Sequence, residues 1–210
     1  MNYNFIAIEG TIGAGKTSLS TRLSHEMNAR LILEQFEDND FLPKFYKDPV
    51  KYAFPLELSF LASRFQQLKN ELSATDIFRP FTISDYFINK SLIFARKTLA
   101  DDEYALYARL FSIMNLSLPR PDLLVYLYMS VERLKSNIVR RGRPYEQDIE
   151  HEYLEKIQAG YFEYLRQQSD MRILIIDTNE LDFVNQSSHY ELIKNLIQAD
   201  YPMGVHTVTP

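Results

Sequence analysis

Residues 10–17 read Gly-Thr-Ile-Gly-Ala-Gly-Lys-Thr, an unbroken G-x-x-x-x-G-K-T. The run follows the apolar stretch Phe5-Ile6-Ala7-Ile8 and precedes a helical pattern that begins near Thr17. A strand, a Gly-rich turn and a helix N-terminus in that order make an anion cradle, because the free N–H groups of the first helical turn point at the loop. Gly10, Gly13 and Gly15 let the backbone approach a phosphate without a Cβ, and Thr11, Ile12 and Ala14 complete the loop. Lys16 is placed to reach the β- and γ-phosphates, and the Thr17 hydroxyl to bind Mg²⁺. The chain is therefore expected to bind a nucleoside triphosphate.

The remaining bulk properties narrow the setting. A chain of 210 residues suffices for one domain with its own core. With no Cys there is no disulfide, thiolate nucleophile or Cys-ligated metal, which suits a reducing, cytoplasmic compartment. Neither a signal peptide nor a membrane-length apolar run is expected. The net charge of −5 argues against nucleic acid as a partner.

Short apolar runs alternate with longer amphipathic segments. Strands are expected at 4–9, 30–34, 80–85, 123–129 and 172–177. Helices are expected at 15–27, 51–73, 87–99, 102–116, 131–141, 151–168 and 187–199. That alternation predicts an α/β fold in three layers, a five-stranded parallel sheet flanked by helices. Residues 1–201 are read as one domain, and 202–210 as a mobile C-terminal tail. In such a sheet, ligands bind beyond the carboxyl ends of the strands.

Glu34 follows the second strand and could take a proton from an attacking hydroxyl. The alternative is a capping or solvated glutamate. Asp85 follows the third strand and could hold Mg²⁺ together with Thr17. Its alternative is a loop aspartate satisfying backbone N–H groups. The segment Arg133–Arg143 places positions 133, 137, 140 and 141 on one helix face, with Gly142 set to end the helix. An Arg cluster on a Gly-hinged segment of about 140–150 suits a lid that neutralises charge on a transferring phosphoryl group. Otherwise it is a solvated basic helix end.

Together these pieces resemble the deoxynucleoside kinase family. The resemblance rests on Gly10–Thr17, Glu34, Phe45-Tyr46-Lys47-Asp48-Pro49, Glu57 through Arg64, and Arg141-Gly142-Arg143-Pro144-Tyr145-Glu146-Gln147 with Glu152-Tyr153-Leu154 downstream. It implies a P-loop kinase fold with an Arg-rich lid, and phosphorylation of a deoxynucleoside 5′-hydroxyl by ATP with Mg²⁺. Glu34 matches the general base, with Lys16, Arg141 and Arg143 acting on the transferring phosphoryl group. Tyr46 and Glu146 match the pair that holds the sugar 3′-hydroxyl, with a core tyrosine on an amphipathic helix as the alternative for Tyr46. Phe36 is placed to wall the nucleoside, with ordinary core packing as its alternative. Arg64 and Asp85 line the acceptor side. Asp177-Thr178-Asn179-Glu180 looks like the segment over the ATP adenine, which puts Glu180 there. A homodimer through helices 51–73 and 87–116 is also implied.

Three departures stand out. No Arg follows the third strand, where the family has Glu-Arg or Asp-Arg; the sequence there is Ser84-Asp85-Tyr86. Glu57 occupies the place of the base-reading Gln, and a carboxylate accepts where an amide both donates and accepts. Guanine presents two adjacent donors, so a purine, guanine before adenine, is expected. Lys90 stands where an acidic residue is common. The rival readings are a nucleoside monophosphate kinase resembling thymidylate kinase and a regulatory module that binds nucleotide without turnover. The acidic, cation-free stretch Leu33–Asp38 disfavours an anionic acceptor, and the intact catalytic set disfavours the module.

Overall fold

The computed structural model describes residues 3–35, 39–73 and 78–210. In chain order the elements are β1 (Phe5–Gly10), α1 (Lys16–Glu26), β2 (Arg30–Ile32), α2 (Leu42–Lys47), α3 (Pro49–Ser73), β3 (Thr82–Ser84), α4 (Lys90–Thr98) and α5 (Asp101–Asn115). They continue with β4 (Leu123–Tyr128), α6 (Val131–Arg141), a 3₁₀ turn at Pro144–Glu146, α7 (His151–Arg166), β5 (Arg172–Asp177), α8 (Ser187–Gln198) and β6 (Gly204–Val208).

All strand pairs are parallel, in the order β2-β3-β1-β4-β5-β6. The side-chain period of two divides each central strand between two cores. Ile6 and Ile8 of β1, Val125 of β4 and Leu174 of β5 pack with Leu19, Leu23, Leu134 and Ile193 of α1, α6 and α8. Ala7, Leu124, Tyr126 and Ile173 point to the other face and pack with Leu61, Ile93, Tyr107 and Tyr161 of α3, α4, α5 and α7. Strands buried on both faces must be apolar throughout, which is why their sequences are continuous hydrophobic runs. A third, smaller cluster of Phe45, Ala53, Leu56 and Phe60 joins α2 to α3 beside the sheet.

The sheet has six strands rather than the expected five. Gly204–Val208, assigned from sequence to a mobile tail, pairs with β5 from Arg172↔Gly204 to Ile176↔Val208. As an edge strand it buries only alternate side chains partly, so it lacks the apolar run that marks its neighbours. The short helix α2 was also not anticipated, because Pro43 and the single turn of chain hide its period.

Candidate functional site

The phosphate loop leaves the central strand β1 and enters α1 at Lys16. Gly13 (φ 90°) and Gly15 (φ 85°) adopt left-handed backbone conformations. Both are also pressed by neighbours: a Cβ on Gly13 would lie 2.7 Å from the Leu134 carbonyl oxygen, and one on Gly15 2.7 Å from the Phe183 ring. Glycine is thus required by the packing of α6 and the 181–184 segment on the loop as well as by the turn itself. Asn137 Nδ2 donates to the Gly13 carbonyl at 2.9 Å, a further tie between α6 and the loop. Thr11 is buried with its hydroxyl 3.3 Å from the Tyr126 hydroxyl, and Ala14 packs in the core. Lys16 Nζ donates to the carbonyls of Gly10 (2.8 Å) and Thr11 (3.2 Å). Burial, then the charge of Lys90, pushes the Lys16 ammonium down to about 8.

Beyond the ends of β2 and β3 lies a compact polar network. Asp85 Oδ2 accepts from the Thr17 hydroxyl at 2.6 Å, and its Oδ1 accepts from the Glu34 backbone N–H at 2.7 Å. Two hard oxygen donors at the foot of the phosphate loop fit Mg²⁺, which takes one or two protein groups and fills its remaining positions with phosphate and water. No cluster of three or more potential metal-ligating side chains occurs among the described residues.

Glu34 is held from two sides. Arg64 Nε donates to Oε1 at 2.8 Å, and Lys90 Nζ to Oε2 at 2.6 Å. Burial alone would raise the Glu34 carboxyl, but the Lys90 and Arg64 charges override it and hold it at about 2. The cation absent from the position after β3 is therefore matched by two cations from α3 and α4. The role of Lys90 could not be read from sequence, because only the packing of α4 on α3 brings it to Glu34. Beneath this network Glu9 is buried and accepts from Phe87 N–H at 2.7 Å and the Tyr161 hydroxyl at 2.8 Å. It joins the strand under the loop to the chain after β3.

Glu57 points from α3 into the same chamber and is 3% exposed. Tyr46 from α2 and Tyr153 from α7 line it as well. The sequence placed Tyr46, Glu57, Arg64 and Glu146 together, and the structure gathers them around one cavity with Glu34, Lys16 and Asp85. Phe36 lies outside the described residues.

The end of α6 and the segment after it form one side of the chamber. Gly142 (φ 73°, ψ 20°) caps α6 with its N–H on the Ile138 carbonyl, as its sequence position implied. Arg141 and Arg143 then turn toward Glu146, which is buried and accepts hydrogen bonds from both. On the far side of the loop, Arg133, Asn137 and Arg140 of α6 face a second cleft. Its opposite wall is Leu181, Asp182, Phe183 and Val184. Glu180 is exposed at the turn leading into that wall. The wall residues were missed because nothing in their pattern distinguishes them from an ordinary loop.

Gly13, Lys16, Thr17, Arg141 and Arg143 line both spaces. A Gly-rich G-x-x-x-x-G-K-T loop with its lysine, the neighbouring Thr17 and Asp85 oxygens, two arginines and a chamber containing carboxylates are arranged as in P-loop phosphotransferases. The deoxynucleoside kinase family model matches residues 6–200. A deoxyguanosine kinase of Bacillus subtilis (strain 168) is 38% identical over 197 residues, spanning 90% of this chain and 93% of its own. A deoxyadenosine kinase of Dictyostelium discoideum is 35% identical over 197 residues, spanning 93% of this chain and 78% of its own. The structure of deoxyadenosine kinase from M. mycoides with bound dATP superposes with a TM-score of 0.80 at 28% identity, covering 93% of this chain and 99% of that one. The chain belongs to the deoxynucleoside kinase family, and it is a phosphotransferase of that family. No helix among the described residues is long and apolar enough to cross a membrane.

Proposed function

We propose that this chain transfers the γ-phosphoryl group of ATP to the 5′-hydroxyl of a purine deoxynucleoside, giving the 5′-monophosphate and ADP. The observation that carries this reading is the junction of the two spaces at Gly13, Lys16, Thr17, Arg141 and Arg143. Triphosphate held over the loop from one side would present its terminal phosphoryl group to an acceptor held on the other. The similarity to deoxyguanosine and deoxyadenosine kinases supports the acceptor class. Arg64 and Lys90 are both paired with Glu34, which leaves the acceptor side suited to a neutral hydroxyl rather than a phosphate.

In this reading Glu34 orients the 5′-hydroxyl and accepts its proton as the bond to phosphorus forms. Its pairing with Lys90 and Arg64 keeps the Glu34 carboxylate ionised and fixed in place, so that it can take the proton as the hydroxyl attacks. Tyr46 and Glu146 hold the sugar. On substrate binding the Glu146 carboxylate exchanges part of its pairing with Arg141 and Arg143 for the 3′-hydroxyl, which releases guanidinium donors toward the phosphoryl group. Thr17 and Asp85 would hold Mg²⁺, which supplies charge neutralisation on the phosphate oxygens when bound. Glu180 remains a contact to the adenine side only if the 177–180 turn shifts toward the nucleotide. A cytoplasmic setting is part of the same reading, supported by membership of the family. A homodimer through α5 is part of the reading, since Leu106 and Ile113 of that helix and Leu116 at its C-cap are exposed apolar residues.

The test is phosphoryl transfer from ATP to a panel of deoxynucleosides, ribonucleosides and nucleoside monophosphates. Turnover of deoxyguanosine or deoxyadenosine is expected; turnover of monophosphates alone would overturn the reading. Glu34→Gln is expected to lower kcat about 10²–10⁴-fold with little change in substrate binding. Near-full kcat in that variant would remove Glu34 from the chemistry.

A further inference from the structure

Thr98 on α4 has two acceptors and one hydrogen. Its hydroxyl oxygen lies 2.9 Å from the Phe94 carbonyl and 3.0 Å from Glu57 Oε1. A hydroxyl carries one donor proton. When that proton turns to Glu57, Oε1 is satisfied as an acceptor whether or not Oε2 carries a proton of its own. Thr98 therefore fixes one carboxyl oxygen and leaves the other to face the base either as a bare acceptor or as an O–H donor.

The surroundings of Glu57 balance those states. On its own helix Arg64, and on α4 Lys90, favour the charged form, yet both direct hydrogen bonds to Glu34. Glu34, from the chain after β2, opposes ionisation by its own charge. From α5, Tyr107 donates to the Glu57 backbone carbonyl at 3.3 Å and leaves the carboxyl group itself unpaired by that contact. Tyr46 from α2 and Tyr153 from α7 are further titratable neighbours, and both are held far above the usual tyrosine range by burial, so they stay neutral. Arg141, Arg143 and Glu146 line the same chamber from the end of α6 and the segment after it, paired with one another. Burial, opposed by Arg64 and the Thr98 hydrogen bond, pushes Glu57 up to about 7.

We propose, resting on the purine deoxynucleoside reading above, that Glu57 selects the base by its protonation state. The carboxylate offers two acceptors, which suit the N1–H and 2-amino donors of guanine. The neutral acid offers one donor and one acceptor, which suit N1 and the 6-amino group of adenine. The same side chain thus works as an acceptor pair at higher pH and as an amide-like donor–acceptor at lower pH. The ratio of kcat/KM for deoxyguanosine to that for deoxyadenosine then rises with pH. Where each base is bound by one form only, the slope approaches about tenfold per pH unit, because the ionised-to-neutral ratio of an acid changes by that factor. Groups such as Glu34 and Lys16, which act on both substrates, cancel in the ratio.

The experiment measures that ratio between about pH 6 and pH 8.5 in the parent enzyme and in Glu57→Gln, whose amide has the donor–acceptor pattern of the neutral acid at every pH. The expected result is a rising ratio in the parent and a flat, adenine-shifted ratio in the variant. Infrared difference spectra of the parent against Glu57→Gln provide a second measurement, with a protonated-carboxyl band expected at the low end of the range and lost at the high end. Purine turnover with a flat ratio in the parent, or a carboxyl that is ionised throughout, would overturn the proposal alone. Turnover restricted to pyrimidine deoxynucleosides or to monophosphates would overturn it together with the reading it rests on.

Discussion

Glu34 sits between Arg64 and Lys90, and this pairing sets its acidity more than its burial does. The folded-state value of about 2 lies below the ordinary 4.5, so the unfolded chain binds more protons than the folded one between those values. The pairing therefore stabilises the fold fully above about pH 4.5, and its contribution is lost as pH falls through about 2. Lys90→Met removes the largest charge that lowers Glu34. We expect its thermal stability to fall less steeply on acidification across that window than the parent's. Parallel profiles of melting temperature against pH would show that Lys90 does not govern Glu34. Lys90 also lowers Lys16, so in the same variant the alkaline fall in kcat/KM for ATP moves from about pH 8 to higher pH. Glu34, Asp85, Lys16 and Thr17 were legible as candidates because each follows a strand or sits in a fixed motif. The Lys90–Glu34 and Thr98–Glu57 contacts were not, since each joins residues far apart in the chain whose pairing follows from helix packing.

At the scale of elements, the phosphate loop and α6 act as one unit. Gly13 lies against the Leu134 carbonyl, and Asn137 bonds the Gly13 carbonyl. A methyl group on Gly13 meets backbone rather than a movable side-chain tip, and the residue is at φ 90°, so Gly13→Ala combines steric overlap with backbone strain. We expect a loss of about 1–3 kcal/mol in stability and at least a tenfold rise in KM for ATP, with the KM for the nucleoside changed far less. Equal effects on both substrates would separate the loop from α6. The amphipathic pattern of α6 made its buried stripe of Val131, Leu134 and Ile138 readable, and Gly142 marked its end. That its polar face would bond the loop itself, through Asn137, depended on how the crossover from β4 returns over β1.

At the scale of the molecule, Leu106 (42%) and Ile113 (70%) of α5 and Leu116 (89%) at its C-cap are exposed, while the other face of α5 packs Tyr107 and Phe111 into the core. Exposed apolar residues on a helix are a self-association surface when a second copy covers them. Ile113→Glu is expected to convert a dimer to a monomer in light scattering while the fold persists; a parent that is monomeric at micromolar concentration would remove the dimer from the reading. The six-stranded sheet carries a related lesson. Its other five strands, β2 at the far edge included, are apolar enough to be seen in the sequence, whereas β6 is half-exposed and became a strand only because β5 presents an open edge to it. What the sequence by itself determined is what local chemistry dictates: the Gly-rich loop, the alternation of strands and helices, the arginines around the helix-ending Gly142 and the carboxylates beyond the strand ends. What only the tertiary structure decided is which charges meet. Glu34 with two cations, Arg141 and Arg143 on Glu146, and Glu57 against Thr98 are long-range or side-chain-level pairings, and their energies depend on burial that no single segment can establish alone.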